Sequence, residues 1–88
     1  MHYFPAFLRL EGRRCLVVGG GVIAVRKTNL LLEAGAMITV VAPTIVAHMR
    51  ELWAQGAVEW RAREFAETDL AGCWLVVCLL YTSDAADE

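Results

Sequence analysis

The apolar positions of this chain fall first into a short continuous run and then into a segment with helical spacing. Residues 15–18 are apolar and rich in β-branched side chains, which is typical of a parallel strand covered on both faces. Glycines at 19–21 end this run, and the segment from Val22 keeps helical spacing until Gly35, which suits a left-handed helix C-cap. A second β-rich run at 37–41 completes a strand, turn, helix and strand within the ~30 residues of one βαβ unit.

The spacing of apolar residues in the first helix predicts the face that packs on the sheet. Ile23, Leu30, Leu31 and Ala34 recur at helical intervals, so we expect them to face the sheet. Thr28 is expected to point to another face.

The remainder of the chain predicts a second helix and two more strands. Thr44 lies where it can cap a helix that Gly56 ends. Strands are expected at residues 58–61 and 73–77, with a loop and a helical turn at 64–70 between them. The predicted fold class is therefore α/β, a Rossmann-type doubly wound parallel sheet with about four strands present and incomplete at 88 residues.

An aromatic-rich segment with a proline precedes the first strand. Residues 2–10 are expected to lie extended along the domain. In that position, Phe4, Phe7 and Leu10 would cover apolar surface.

Composition and charge exclude two classes of protein. The chain is 58% hydrophobic and 20% charged, which is typical of a buried parallel sheet. A net charge of −2 gives no electrostatic basis for nucleic-acid binding. The longest apolar run, residues 73–81, has about half of the ~20 residues that span a bilayer, and no signal pattern opens the chain. We therefore predict a cytoplasmic protein with neither nucleic acid nor membrane as a partner.

The cysteines and charged clusters predict structural roles. Cys15, Cys73 and Cys78 lie in or beside apolar runs, which favours buried thiols in a reducing compartment. The charged clusters at 61–63 and 64–69 are expected to be solvated faces. Neither histidine has a partner at ligand spacing, so we predict no metal site.

The glycine turn carries the candidate chemistry. Gly19, Gly21 and Ala24 form a G-x-G-x-x-A pattern, in which the first glycine permits a tight turn and the second lets a pyrophosphate approach the backbone. The helix that begins near Val22 directs unpaired N–H groups at the same place, which favours an anion. The motif by itself also fits a tight strand-to-helix turn that binds nothing.

The end of the second predicted strand lacks a charged side chain. Dinucleotide sites that bind both ribose hydroxyls usually carry Asp or Glu about 20 residues past the glycines, where this chain has the uncharged residues 41–44. No arginine occurs in residues 41–46 to bind a 2′-phosphate. The pattern therefore predicts a modest preference for NAD over NADP.

Six motifs occur together in residues 1–77. They are H-Y-F-P-A-F-L-R-L-E-G-R at the start, C-L-V-V-G-G-G from Cys15, A-x-R-K from Ala24, L-L-L-E-A-G-A from Leu30, V-V-A-P from Val40 and D-L-A-G-C-W-L-V from Asp69. In combination they resemble the N-terminal domain of siroheme synthase, the family that oxidises precorrin-2 with NAD and inserts iron into sirohydrochlorin. Position 22 is commonly acidic in that family and is Val22 here, which leaves the backbone donors intact.

The resemblance implies that residues 1–77 form an NAD-binding half-domain. It also implies a tetrapyrrole substrate (precorrin-2 and sirohydrochlorin), ferrous iron as a second substrate, and a homodimeric parent enzyme. The family's aspartate for dehydrogenation and chelation matches no residue of this chain, so we predict no catalytic residue. The cofactor-binding residues that the resemblance implies are Gly19, Gly21, Val22, Ile23, Pro43 and Thr44.

The family pattern stops at Val77. Residues 78–88 look like a translated sequencing adapter, so we expect a non-native tail without function, the alternative being a genuine polar tail. The fragment itself is expected to bind NAD at most. Two other functions stay open: another Rossmann oxidoreductase or channel-type nucleotide sensor, which should carry an acid near Val41, and a non-catalytic module whose nucleotide sets a conformation.

Overall fold

A computed structural model describes residues 3–4 and 8–79. Leu10 is fully buried, as expected, whereas Phe7 and the side chain of Phe4 lie outside the described part. Leu79 is the last residue described. The elements are β1 (Tyr3–Phe4), β2 (Leu8–Arg9), β3 (Arg14–Val18), α1 (Val22–Glu33), β4 (Met37–Val41), α2 (Ala47–Ala54), β5 (Val58–Arg61), a 3₁₀ turn (Glu67–Leu70) and β6 (Leu75–Cys78).

Strands β3 to β6 form one parallel sheet in the order β5-β4-β3-β6. The chain moves outward from β3 through β4 to β5 and then returns to the other side of β3. This reversal is a topological switch point, and its crevice lies at the carboxyl ends of β3 and β6. The α/β Rossmann-type prediction is confirmed. Strands β1 and β2 pair separately as a short antiparallel ribbon. Because these two strands run in opposite directions, the expectation that residues 2–10 lie extended along the domain is wrong.

The two faces of the parallel sheet are covered by different segments. One face carries Cys15, Val17 and Val40, and both helices pack on it. The other face carries a smaller cluster of Leu16, Val18 and Val41, against which Phe65 and Cys73 of the β5–β6 crossover pack. The helices and the crossover therefore lie on opposite sides of the sheet, as the strand order requires.

The prediction for the buried face of α1 is half right. Leu31 and Ala34 are buried as expected, but Leu30 is 44% exposed and Thr28 is fully buried. The buried stripe contains Ala24, Thr28 and Leu31, which lie at i, i+4 and i+7. Three consecutive leucines at 30–32 gave no means of choosing which of them faces the sheet, and the observed stripe continues the line of the small buried residue Ala24.

The start of α2 differs from the prediction that Thr44 caps it. The helix begins at Ala47, with Val46 as an extended N-cap that makes no side-chain cap bond. The Val46 N–H instead donates to the Gly20 carbonyl at 2.9 Å. The segment before α2 therefore crosses the glycine turn and is hydrogen-bonded to it, so it does not cap the helix. Gly56, with φ of 80°, follows the helix end as predicted.

Strand β6 begins two residues later than predicted and includes Cys78. Beyond it, the Leu79 N–H donates to the Val18 carbonyl at 2.9 Å, and the Leu79 side chain is buried. Cys15 is buried and Cys73 half-buried, but Cys78 is exposed, so the expectation of three buried thiols is wrong for that residue. Leu75 and Val77 of β6 pack on the helix side of the sheet, so the alternate residues Val76 and Cys78 face away from the helices. Within residues 3–4 and 8–79, no helix has the length and apolarity needed to cross a membrane.

Candidate functional site

An open cleft of about 1060 Å³ lies at the carboxyl edge of the sheet. Its walls come from residues 18–24, from the loop at 41–46, and from Glu64, Phe65, Arg26 and Leu79. The cleft therefore occupies the switch point where parallel α/β sheets bind ligands. It brings together all six residues that the sequence nominated, namely Gly19, Gly21, Val22, Ile23, Pro43 and Thr44.

Two of the three glycines in the turn are required by the fold itself. Gly19 has a φ of 131°, and its N–H donates to the Val41 carbonyl at 3.0 Å. A Cβ on Gly20 would collide with the carbonyl oxygen of Thr44 and would lie 2.8 Å from Ile45 Cγ2. Side chains are therefore excluded at Gly19 by backbone conformation and at Gly20 by the neighbouring loop. Gly20 occupies an unspecified position of the G-x-G-x-x-A pattern, so the motif gives no sign of this role.

Neither constraint, of backbone conformation or of a neighbouring loop, applies to the third glycine, Gly21, within the described chain. Gly21 has an ordinary extended conformation, with φ of −91°. A Cβ there would have no atom of the described chain within 4 Å. Nothing in the described fold therefore demands glycine at position 21, and the open space beside it belongs to the cleft.

The N-terminus of α1 presents backbone donors to this space. Gly21 is the N-cap and supplies no side-chain cap bond, and the first bond of the turn runs from the Val25 N–H to the Gly21 carbonyl at 3.1 Å. The amides of Val22, Ile23 and Ala24 therefore have no partner within the helix. No acidic residue lies in the first turn, so the helix dipole favours an anion here.

The opposite wall is the loop that follows β4. The Trp60 indole Nε1–H donates to the Ala42 carbonyl at 2.9 Å, and the Ala42 N–H donates to the Arg61 carbonyl at 3.2 Å. These bonds fix the loop to β5. Pro43 and Thr44 follow the anchored residue and are exposed to the cleft. Their exposure gives a ligand access to an uncharged surface at the end of β4.

Asp69 is the exception to the expectation that the charged clusters are solvated, which holds for the exposed residues Arg63, Glu64 and Glu67. Its carboxylate is almost fully buried and accepts hydrogen bonds from Arg63 Nη1 (2.8 Å), the Ala66 N–H (2.9 Å) and Arg61 Nη1 (2.8 Å). The Arg63 guanidinium above all, with the Ala66 amide, holds the pKa of this carboxyl well below its usual range. The sequence did not indicate this burial, because Asp69 meets Arg61, Arg63 and the Ala66 N–H only when the β5–β6 crossover has folded.

The cleft also contains residues that the sequence did not nominate. Glu64 and Phe65 reach it from the β5–β6 crossover, and Leu79 reaches it from the end of β6. Arg26, the fourth such residue, belongs to the A-x-R-K motif. No motif in the sequence pointed to the other three as cleft residues. Among the residues that the structure describes, no group of three or more metal-ligating side chains occurs.

Comparison with known proteins agrees with this geometry. A family model described as NAD(P)-binding matches residues 6–88. Siroheme synthase 3 of Aeromonas hydrophila subsp. hydrophila is 53% identical over 77 residues, covering 88% of this chain and 16% of that protein. The chain belongs to the NAD(P)-binding family, as a siroheme synthase N-terminal domain.

A second relative and a solved structure extend the comparison. The siroheme synthase of Pseudomonas fluorescens (strain Pf0-1) is 53% identical over 77 residues, covering 88% of this chain and 17% of that protein. The structure of SirC, precorrin-2 dehydrogenase, matches with a TM-score of 0.79 and 38% identity over 97% of this chain and 40% of that one. This siroheme synthase domain thus spans only 16–17% of the length of these curated relatives.

Proposed function

We propose that this siroheme synthase domain binds NAD in the cleft between the glycine turn and the β4 loop. The observation that carries the proposal is the open space at Gly21, where the described fold has no need of glycine. A dinucleotide pyrophosphate needs that space, because a side chain would keep it from the backbone donors. A ligand that needs this space gives a reason for glycine at a position where the described contacts leave room for a side chain.

The residues present fit a dinucleotide. The cleft volume of about 1060 Å³ lies just above the ~300–1,000 Å³ usual for small-molecule sites, which leaves room for a ligand of dinucleotide size. The free amides of Val22 and Ile23 would bind the phosphates, and Gly19 and Gly21 would line their path. Pro43 and Thr44 would lie beside the adenosine ribose. When bound, NAD supplies the acceptor for a hydride.

NAD is the preferred form of the cofactor in this proposal. The loop at 41–46 has no arginine to bind a 2′-phosphate. Arg61 and Arg63 lie near the end of the neighbouring strand, but both are bonded to buried Asp69. Neither arginine lines the cleft, and each is held by that carboxylate, so neither is placed to bind a 2′-phosphate there.

We extend the proposal to the parent protein that contains this domain. Its relatives are siroheme synthases, and a solved structure similar to it is a precorrin-2 dehydrogenase. The parent would oxidise precorrin-2 to sirohydrochlorin with NAD, insert ferrous iron to give siroheme, and act as a homodimer. No residue of this chain is assigned a catalytic role, and the domain contributes the cofactor site.

Hydride transfer in the parent protein tests the proposal. The siroheme synthase polypeptide carrying this domain is mixed with precorrin-2 and NAD, and NADH formation is followed by absorbance. We expect NADH formation by the wild type and a large loss in Gly21→Val. Failure of the folded wild-type protein to reduce NAD would overturn the assigned activity, whereas full activity in Gly21→Val would overturn the assigned cofactor position.

A further inference from the structure

We propose that the Glu64 carboxylate recognises the hydroxyl groups of the adenosine ribose, a role that dinucleotide sites usually give to an acid at the end of the second strand. This inference rests on the proposed NAD site and adds a specificity-determining residue to it. The acid comes from the β5–β6 crossover, because the loop after β4 contains none.

Packing of the next residue places Glu64 at the correct edge of the sheet. Phe65 packs against the cluster of Leu16, Val18 and Val41, and it lines the cleft together with Val18 and Val41, the last residues of β3 and β4. Glu64 must therefore lie near the carboxyl ends of these two strands. There it lines the same cleft as Pro43 and Thr44, the residues proposed to lie beside the ribose.

The crossover that carries Glu64 is held by hydrogen bonds. Arg63 Nη1 donates to the Glu64 carbonyl at 3.1 Å, while the same guanidinium is bonded to buried Asp69. Asp69 also accepts from the Ala66 N–H at 2.9 Å. The chain on both sides of Glu64 is thus fixed to the Asp69 carboxylate. This limits the conformational entropy that the backbone of the crossover loses when a ligand binds to the Glu64 side chain.

The Glu64 carboxylate remains available for a ligand. Arg61 and Arg63, the nearest cations along the chain, are bonded to Asp69. Among residues 3–4 and 8–79, the Glu64 side chain has no hydrogen-bond or ion-pair partner. A free carboxylate in a cleft accepts hydrogen bonds from a vicinal diol and repels a 2′-phosphate. Glu64 therefore favours NAD over NADP at a site without an acid on β4.

Ligand binding to the full 88-residue chain, measured by isothermal titration calorimetry, tests this inference without an activity assay. The probes are NAD and its analogue lacking the adenosine 2′-hydroxyl. We expect the wild type to bind the deoxy analogue ~10-fold more weakly, as for the loss of a hydrogen bond to a charged group. Glu64→Ala should lose ~10-fold in NAD affinity and should no longer discriminate between the two ligands.

Glu67→Ala is the matched control, because Glu67 is an exposed glutamate of the same crossover that does not line the cleft. Its NAD affinity should equal that of the wild type. If Glu64→Ala binds NAD as tightly as the wild type, or if the wild type binds both ligands equally, the inference is overturned and the NAD site stands. If the folded wild type binds no NAD, the proposed function itself is overturned as well. The wild-type comparison of two ligands requires no variant to fold.

Discussion

Gly20 lies against the backbone and the side chain of Ile45, at the point where the glycine turn crosses the loop after β4. A Cβ on Gly20 would lie 2.8 Å from Ile45 Cγ2 and 3.0 Å from Ile45 Cα. The neighbouring Val46 N–H donates to the Gly20 carbonyl at 2.9 Å. The middle glycine of the turn thus joins the two walls of the cleft, whereas a Cβ on the neighbouring Gly21 would meet no atom of the described chain.

Gly20→Ala should therefore destabilise the domain, because the new methyl group must displace the backbone at Thr44 and Ile45. We expect a loss of about 1–3 kcal/mol in the free energy of unfolding, as for other overpacked sites. Urea denaturation measures it. Gly21→Ala is the control: its Cβ would meet no atom of the described chain, so it should cost only the ~1 kcal/mol or less that separates glycine from alanine at an N-cap. Equal losses in the two variants would show that the loops do not cross as described.

Gly21→Val should weaken NAD binding while the fold persists. A branched side chain would occupy the space that the pyrophosphate needs, so we expect a loss of about 2 kcal/mol or more, comparable to a hydrogen bond to a charged group. Calorimetric titration measures the affinity, and circular dichroism checks the fold. Unchanged NAD affinity in a folded variant would mean that the open space at Gly21 has no part in binding.

Stability should decrease in acid partly through Asp69. Its pKa is lowered in the folded protein relative to the ordinary value of 3.8. The stabilisation by ionised Asp69 is therefore fully present above that value and is lost as the pH falls below it toward the folded-state pKa. The free energies of unfolding of wild type and Asp69→Asn should differ by a constant amount above ~pH 5 and converge in acid.

Glu67→Gln provides the matched control for Asp69→Asn, since it removes a carboxylate from the exposed side of the same turn. It should follow the wild-type curve at every pH. A constant difference between wild type and Asp69→Asn down to ~pH 2 would contradict the assignment of this acid dependence to Asp69.

The parent protein should prefer NAD to NADP, though modestly. The end of β4 has neither a carboxylate nor an arginine, and both crossover arginines are bonded to Asp69. Parallel titrations of the two cofactors measure the ratio of dissociation constants. Tighter binding of NADP would contradict this prediction.

The sequence predicted the elements well because their signals are local. The apolar run before Gly19 and the helix that ends at Gly35 depend on residues close together in the chain. The face of α1 was harder, since three consecutive leucines gave no preference for Leu31 over Leu30. Only close packing against the sheet selects the register in which Thr28 is buried.

The candidate site was predictable in part for the same reason. The glycine motif and the family resemblance nominated six residues that the structure places along one cleft. The role of Gly20 depends on a loop about 25 residues away in sequence, and the environment of Glu64 depends on Phe65 packing across two strands. No local pattern encodes such contacts, because they exist only after the crossover has folded.

Chemical-shift mapping of NAD binding tests the central claim most directly. ¹H–¹⁵N correlation spectra of the 88-residue chain are recorded during titration with NAD. Saturable shifts should concentrate at the amides of Gly19, Gly21, Val22, Ile23 and Thr44, and amides on the outer face of α2 should not move. No saturable shift, or shifts centred away from the glycine turn, would contradict the claim that this cleft is the NAD site.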